Sequence, residues 1–353
     1  MVEVYVRAMA SVQKVAEVKA IPEADKICAY RINGWWVVDQ VGKYVVGDLV
    51  VYAEPDSWVP TELAPFLSKG KEPREFNGVK GEKLRTVRLK KQLSQGLLFP
   101  LSVLAVKTPS GDYLGDWEQF EGHDVSERLG IVKWEAPPEF SSADKRGDFP
   151  SFIIKTDQER VQNCFEDVAQ HFENETWEVT EKAEGSSMTV YNRDGDFGVC
   201  SRNLDLKESD TNTYWKMAIE LGLREKLAPT NLFAGFNIAI QGELIGPGIQ
   251  DNIYNLSKHV FLVFDIFDID KFEYYAPDAR RFLTKLLGLT DVPVLAAQSS
   301  LKNETCETLL NLADGQSVLG TIGCLREGLV FKANFGKRIS FKAVSNRYLE
   351  KQK

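Results

Sequence analysis

The sequence predicts an α+β protein of two domains. Three observations carry this. Residues 1–125 hold several short β-prone runs separated by glycine turns. Residues 126–149 have the composition of a linker. Residues 150–353 open on a segment of helical spacing and continue as strand-like blocks, most of which deliver a charged side chain. A chain of 353 residues is long enough for two domains. Its 43% hydrophobic and 27% charged residues suit a globular protein with a sizeable core.

In the first domain, residues 10–18 are valine-rich and roughly alternate apolar with polar, the pattern of a half-buried strand. Asn33-Gly34, flanked by β-formers, reads as a hairpin turn because asparagine and glycine accept positive φ. Strands are expected at 35–38, 44–46, 49–52 and 97–100, a spacing that suggests a small barrel of the OB type. Trp35, Trp36 and Trp58 are expected in the core. The run from Arg85 to Gln92 is the basic stretch of this domain. As a strand it would put Arg85, Val87, Leu89 and Lys91 on one face and Thr86, Arg88 and Lys90 on the other. Basic strands on an OB barrel can contact a nucleic-acid backbone. Lysines also protect ordinary edge strands from aggregation, and on these residues alone the two readings stand level.

Residues 126–149 contain Pro137-Pro138, Ser141-Ser142, Gly147 and mixed charge with little periodicity, so the domain boundary is expected there. Residues 157–172 follow with Val161, Cys164, Phe165, Val168 and Phe172 on one helical face.

The rest of the chain is organised around Glu181-Lys182-Ala183-Glu184-Gly185-Ser186-Ser187. A neutral lysine is a good nucleophile for phosphorus, but it must first lose its proton, through burial, a cationic neighbour or a metal. Gly185 would admit a phosphate to the backbone, and Ser186 and Ser187 could donate to it. Alone, the block reads as a lysine–glutamate pair at a solvated strand end. Further blocks change that balance. Ser201-Arg202-Asn203 follows a strand-like segment. A strand ending in a glycine-rich turn carries Glu243. A buried strand carries Phe264-Asp265, and two strands joined at 334–336 bring Glu327, Lys332 and Lys342. Together they supply a nucleophile, cations for a triphosphate, carboxylates for a divalent metal and an aromatic ring for a purine.

The order of blocks resembles the covalent nucleotidyltransferase superfamily of polynucleotide ligases and mRNA capping enzymes. Lys182-Ala183-Glu184-Gly185 is similar to its motif I, Ser201-Arg202-Asn203 to motif Ia, and Gly242-Glu243-Leu244-Ile245-Gly246 to motif III. Phe264-Asp265 is similar to motif IIIa, residues 327–332 to motif IV and Ser340-Phe341-Lys342 to motif V. Residues 242–250 and 159–163 resemble the RNA ligase 2-like branch. Residues 47–52, 56–60 and 92–97 resemble the N-terminal OB module of its Naegleria/Deinococcus type. Position 184 is glutamate where aspartate is commonest, and Ser340 stands where some members carry a second lysine.

The resemblance implies an OB-like barrel (1–125), a linker (126–149) and an adenylyltransferase domain of antiparallel sheets flanked by helices (150–353). It implies ATP-dependent joining of RNA 3′-OH and 5′-phosphate ends through lysyl-AMP and RNA-adenylate, at nicks in duplexes. Lys182 is then the nucleophile. Glu181, Arg160, Arg202, Glu243, Phe264, Lys332 and Lys342 contact ATP or AMP. Glu184, Glu243 and Glu327 hold Mg²⁺ or Mn²⁺, and Arg85, Arg88, Lys90 and Lys91 meet RNA. The rival readings are an ATP-dependent DNA ligase, a GTP-using capping enzyme, or a decayed transferase that only binds RNA.

The net charge of −8 argues against indiscriminate coating of nucleic acid but allows a local basic groove. No apolar run is long enough to span a bilayer, so no membrane is expected. The five scattered cysteines read as reduced thiols of a cytosolic or nuclear protein. No obligate protein partner is evident.

Overall fold

The computed structural model describes residues 7–107, 113–114, 118–135, 140, 142–155, 157–228, 236–336 and 338–351. The chain divides into two compact units, Met1–Pro137 and Pro138–Lys353.

In the first unit a five-stranded antiparallel sheet runs in the order Leu97–Pro100, Leu49–Ala53, Ala10–Ala20, Ile27–Ile32, Trp35–Gln40. A second sheet runs Val132–Lys133, Ser57–Pro60, Val79–Lys83, Arg74–Phe76. The strand Leu49–Ala53 reads as an unbroken apolar run because both its faces are covered. Val50 and Tyr52 pack with Tyr30 and Trp35, while Val51 and Ala53 pack with Val12, Val59 and Phe99. Trp35 and Trp58 are core, as expected, whereas Trp36 is only half-buried, with the Lys19 ammonium 5.7 Å from its ring.

Three expectations are corrected here. Residues 44–46 form no strand: the Asp48 carboxylate accepts the Val45 N–H at 2.8 Å and closes a turn, leaving Val45 and Val46 exposed. The basic stretch is not one strand. It is the strand Val87–Leu89, then a turn at Lys90-Lys91, then the strand Gln92–Ser94. Residues 126–149 are not free linker either. Val132–Lys133 pairs with Ser57–Pro60 in the first unit, and Lys145–Asp148 pairs with Leu204–Leu206 in the second. Pro137-Pro138 and Ser141 lie outside the described residues.

The second unit is built on two sheets. The larger runs Lys145–Asp148, Leu204–Leu206, Asp196–Cys200, Ser186–Arg193, Ile238–Ile245, Val260–Asp268, Glu273–Tyr274, with Thr290–Asp291 pairing Val260–Asp268 in parallel. The smaller runs Glu159–Arg160, Ser340–Val344, Gly328–Ala333, Trp177–Lys182, Val294–Ser299. Helices Val161–Ala169 and Cys306–Ala313 cover the smaller sheet around Trp177, Phe331 and Phe341. The last two are cross-strand partners whose rings stack at 4.8 Å. The helix expected over 157–172 is shorter, Val161–Ala169, because Glu159–Arg160 joins the sheet as a parallel strand beside Phe341 and Lys342.

Candidate active site

Lys182 ends the strand Trp177–Lys182, directly opposite Gly328. That register brings Glu327, one residue before Gly328, to the lysine: Nζ and Oε2 lie 2.7 Å apart, with the side chains 27% and 17% exposed. Glu243 comes from the other sheet, on the strand Ile238–Ile245. Burial disfavours charge on Lys182, yet Glu327 and then Glu243 outweigh it and hold the ammonium above its ordinary pKa. The same crowding acts on the acids. Burial, with Glu327 and Glu184 adding to it against Lys182 and Arg202, pushes Glu243 up to about 8. Glu184 is raised by burial and by Glu327 and Asp251, and its Oε2 is buried without a hydrogen-bond partner. Its main-chain N–H donates to the Tyr254 hydroxyl at 2.6 Å, fixing the turn that follows the lysine.

Gly185 lies close against the neighbouring strand. A Cβ there would stand 2.4 Å from the Leu244 carbonyl oxygen and 2.7 Å from Ile245 Cγ2. Glycine is required because this turn presses against the strand that carries Glu243.

Cations gather on the same side. Arg160 is buried, pairs in strand register with Lys342, and its charge opposes protonation of Lys182. Arg202 Nη2 lies 2.9 Å from Asp157 Oδ2, and Lys342 Nζ lies 3.7 Å from Asp157 Oδ1. One carboxylate therefore bridges two expected phosphate contacts. The sequence reading gave Asp157 no part in the site.

Phe264 occupies a β-bulge. Gln241 faces Asp265 and Gly242 faces Val263, so Phe264 is the extra residue and its carbonyl has no partner in that ladder. Two cations take that carbonyl: Lys332 Nζ donates to it, and Arg280 Nη1 donates at 3.1 Å. Lys332 also pairs with Asp265 at 2.9 Å, and Arg338 grips the same carboxylate through 3.0 and 2.7 Å bonds. Burial opposes ionisation of Asp265, but Arg338 and Lys332 prevail and hold it down at about 2. Arg280 further binds Glu178 and Asp291. The 5%-exposed amine of Lys332, expected to contact ATP or AMP, thus braces Phe264 and Asp265. Glu181, expected to contact ATP or AMP, has partners of its own. As the neighbour of Lys182 on a strand it faces the other way, and its carboxylate accepts from Ser317 Oγ and from the Val318 N–H at 2.9 Å.

Solved structures of a known enzyme are similar to this chain over nearly its whole length. A mutant of Naegleria gruberi RNA ligase in its apo form is 41% identical, with a TM-score of 0.85 over 98% of each chain. The chain belongs to the RNA ligase family. The RNA ligase family model matches residues 175–344, and an OB-fold domain model matches residues 9–101. Another Naegleria gruberi RNA ligase mutant, with ATP and Mn, is 40% identical at a TM-score of 0.84, over 98% of this chain and 99% of that one. A third, with AMP and Mn, is 40% identical at a TM-score of 0.85 over the same shares. No curated protein matches the chain. The ligase fold is thus an N-terminal OB domain followed by the sheet-rich transferase domain, as the sequence predicts. Among the described residues no helix is long and apolar enough to cross a membrane.

Proposed function

We propose that this member of the family is an ATP-dependent RNA ligase that seals 3′-OH and 5′-phosphate ends at nicks in duplex RNA. The observation that carries the reading is the Lys182–Glu327 contact at 2.7 Å, flanked by Glu243 and by Arg160, Arg202 and Lys342. Relatives solved with ATP and Mn, and with AMP and Mn, support the choice of nucleotide and ion.

Lys182 first sheds its proton, and Glu327 is the carboxylate within hydrogen-bond reach to take it. The neutral amine attacks the α-phosphorus of ATP; a nitrogen–phosphorus bond forms and pyrophosphate leaves. An oxygen of the RNA 5′-phosphate then attacks the same phosphorus and frees the lysine. The 3′-OH next attacks the activated 5′-phosphorus, the phosphodiester forms and AMP leaves. Arg160, Arg202 and Lys342 hold phosphate oxygens along this course, and Phe264 stacks on adenine.

Glu184, Glu243 and Glu327 suit a hydrated Mg²⁺ or Mn²⁺. Among the described residues no three acidic, histidine or cysteine side chains form a direct metal-binding group, and these carboxylates would hold the ion through its waters, which Mg²⁺ gives up reluctantly. The orphaned Glu184 oxygen could accept from such a water, and a nearby cation would favour ionisation of Glu243, which burial raises. When bound, the ion supplies positive charge at the α-phosphate and competes with Lys182 for Glu327, which favours the neutral amine.

The test is label transfer from α-labelled ATP to protein, followed by sealing of a nicked RNA duplex. Lys182→Met should abolish both while the protein stays folded. Equal labelling of the variant would remove Lys182 from the mechanism. Labelling by GTP in place of ATP would favour a capping enzyme, and sealing confined to DNA would favour a DNA ligase.

A further inference from the structure

The strands Val87–Leu89 and Gln92–Ser94 form a two-stranded hairpin apart from the other sheets of the first unit. Leu89 pairs with Gln92, so the loop is the two residues Lys90 and Lys91, with φ of 47° and 68°. Two successive left-handed residues make the tight hairpin turn for which Asn-Gly and Asp-Gly are the favoured sequences. The same chain uses those sequences elsewhere: Asn77-Gly78 between Arg74–Phe76 and Val79–Lys83, and Asp194-Gly195 between Ser186–Arg193 and Asp196–Cys200. Lysine is a poor residue for this conformation, since its Cβ crowds the backbone. Strain of this kind persists where the surroundings enforce it and a function uses it.

The surroundings do enforce it. The root is fixed, because Val38 N–H donates to Ser94 Oγ at 2.9 Å and Gln95 N–H donates to the Trp36 carbonyl at 2.8 Å. Arg88 braces the tip from within by donating to the Lys91 carbonyl. Residues 87–91 are all exposed, and among the described residues neither lysine side chain has a partner. Lys14, Lys43, Lys80 and Lys83 of the same unit are paired, with Glu121, Asp39, Glu72 and Asp56, whereas Lys26, Lys69 and Lys71 share the unpaired state among the described residues. Val87 and Leu89, 46% and 42% exposed, add an apolar stripe on one face of the same finger.

We propose that this hairpin is a finger that grips the sugar-phosphate backbone of the duplex RNA being sealed. Lys90 and Lys91 contact phosphates, and Val87 and Leu89 lie against ribose. The inference rests on the ligase reading above and assigns the duplex a docking element outside the transferase unit. Solvation of an edge strand explains neither the choice of lysine at two left-handed positions nor the stripe beside them.

The test compares full-length protein with K90N/K91G, which relaxes the turn and removes the charge, and with K90R/K91R, which keeps both charge and strain. Four quantities are read: unfolding temperature, lysyl-AMP formation, and the affinity for and sealing of a nicked RNA duplex across a salt series. K90N/K91G should unfold at a higher temperature and keep lysyl-AMP formation. It should bind the duplex about tenfold more weakly, with the slope of log affinity against log salt shallower by about 2. K90R/K91R should bind as the parent does. Unchanged binding and slope in K90N/K91G would overturn the finger. A lower unfolding temperature with parallel loss of lysyl-AMP would also overturn it, by making the turn merely structural. Parent protein that forms no lysyl-AMP would instead sink the ligase reading itself.

Discussion

The amine of Lys332 and the main-chain carbonyl of Phe264 are bonded across the two sheets of the transferase unit. The carbonyl is free to accept because Phe264 is the extra residue of a bulge. The lysine is fixed because Asp265 holds it at 2.9 Å. The backbone that carries the Phe264 ring, proposed to stack on adenine, is thereby coupled to a buried ion cluster. Lys332→Met should destabilise the unit by about 3 kcal/mol, toward the low end for a broken buried pair because Arg338 still neutralises Asp265. It should raise KM for ATP about tenfold and change kcat less, and Lys332→Arg should recover part of the loss. A fall in kcat at constant KM would show that the amine meets the reacting phosphate after all.

Glu327 is the carboxylate in contact with the nucleophile. Glu327→Ala should slow lysyl-AMP formation by several orders of magnitude at every Mg²⁺ or Mn²⁺ concentration, because the reaction concentrates negative charge around one phosphorus atom. Single-turnover labelling measures this, and an unchanged rate would leave the residue without a catalytic part.

Asp157 bridges Arg202 and Lys342. A partly exposed ion pair of this kind is worth up to about 1 kcal/mol. Asp157→Asn should release both cations to phosphate, so pyrophosphate and ATP should bind up to about fivefold more tightly. Weaker binding in a titration would mean that the carboxylate arranges the cations for the nucleotide.

Stability should depend on pH through Glu243. Its folded pKa of about 8 lies above the ordinary 4.5, so the folded state keeps a proton that the unfolded state loses. Stability is then greatest below 4.5 and declines as pH rises toward 8, by about 3 kcal/mol once solvent screening is allowed for. In metal-free buffer the unfolding temperature should fall across that window, Glu243→Gln should flatten the fall, and Mg²⁺ at pH 8 should restore the loss. An identical fall in Glu243→Gln would assign the dependence to other groups.

Residues 138–353 should form lysyl-AMP yet seal a nicked duplex poorly, since every recognised motif lies after residue 180. The cut belongs at 138 because Lys145–Asp148 is an edge strand of the larger sheet, and starting at Gly147 would break it. Sealing equal to that of the full chain would deny the first unit any part in holding RNA.

Much of this was legible in sequence because strand patterning is local. The runs that became Leu49–Ala53, Ile238–Ile245 and Val260–Asp268 are apolar enough to announce burial, and the register of neighbouring strands then brought Lys182 to Glu327. What was missed depends on distant partners or on turn chemistry. Lys332 and Asp265 are 67 residues apart, and nothing around either names the other. Asp157 meets Arg202 across 45 residues. The positive φ of Lys90 and Lys91 contradicts the local preference of lysine, so a strand was the natural reading there. Alternation along the strand already turns Glu181 away from its neighbour Lys182.

Gly185 works as a gauge block. It sets how closely the turn after the nucleophile can approach the strand that carries Glu243, and the thickness of that gap is one missing methyl group. Filling it would force Leu244 and the lysine turn apart by about an ångström, a misplacement that can cost a hundredfold in rate. The spacing of amine, carboxylate and phosphate is thus tuned at a residue that takes no part in the reaction. A side chain at that position would therefore be felt in catalytic rate as well as in the packing of the turn.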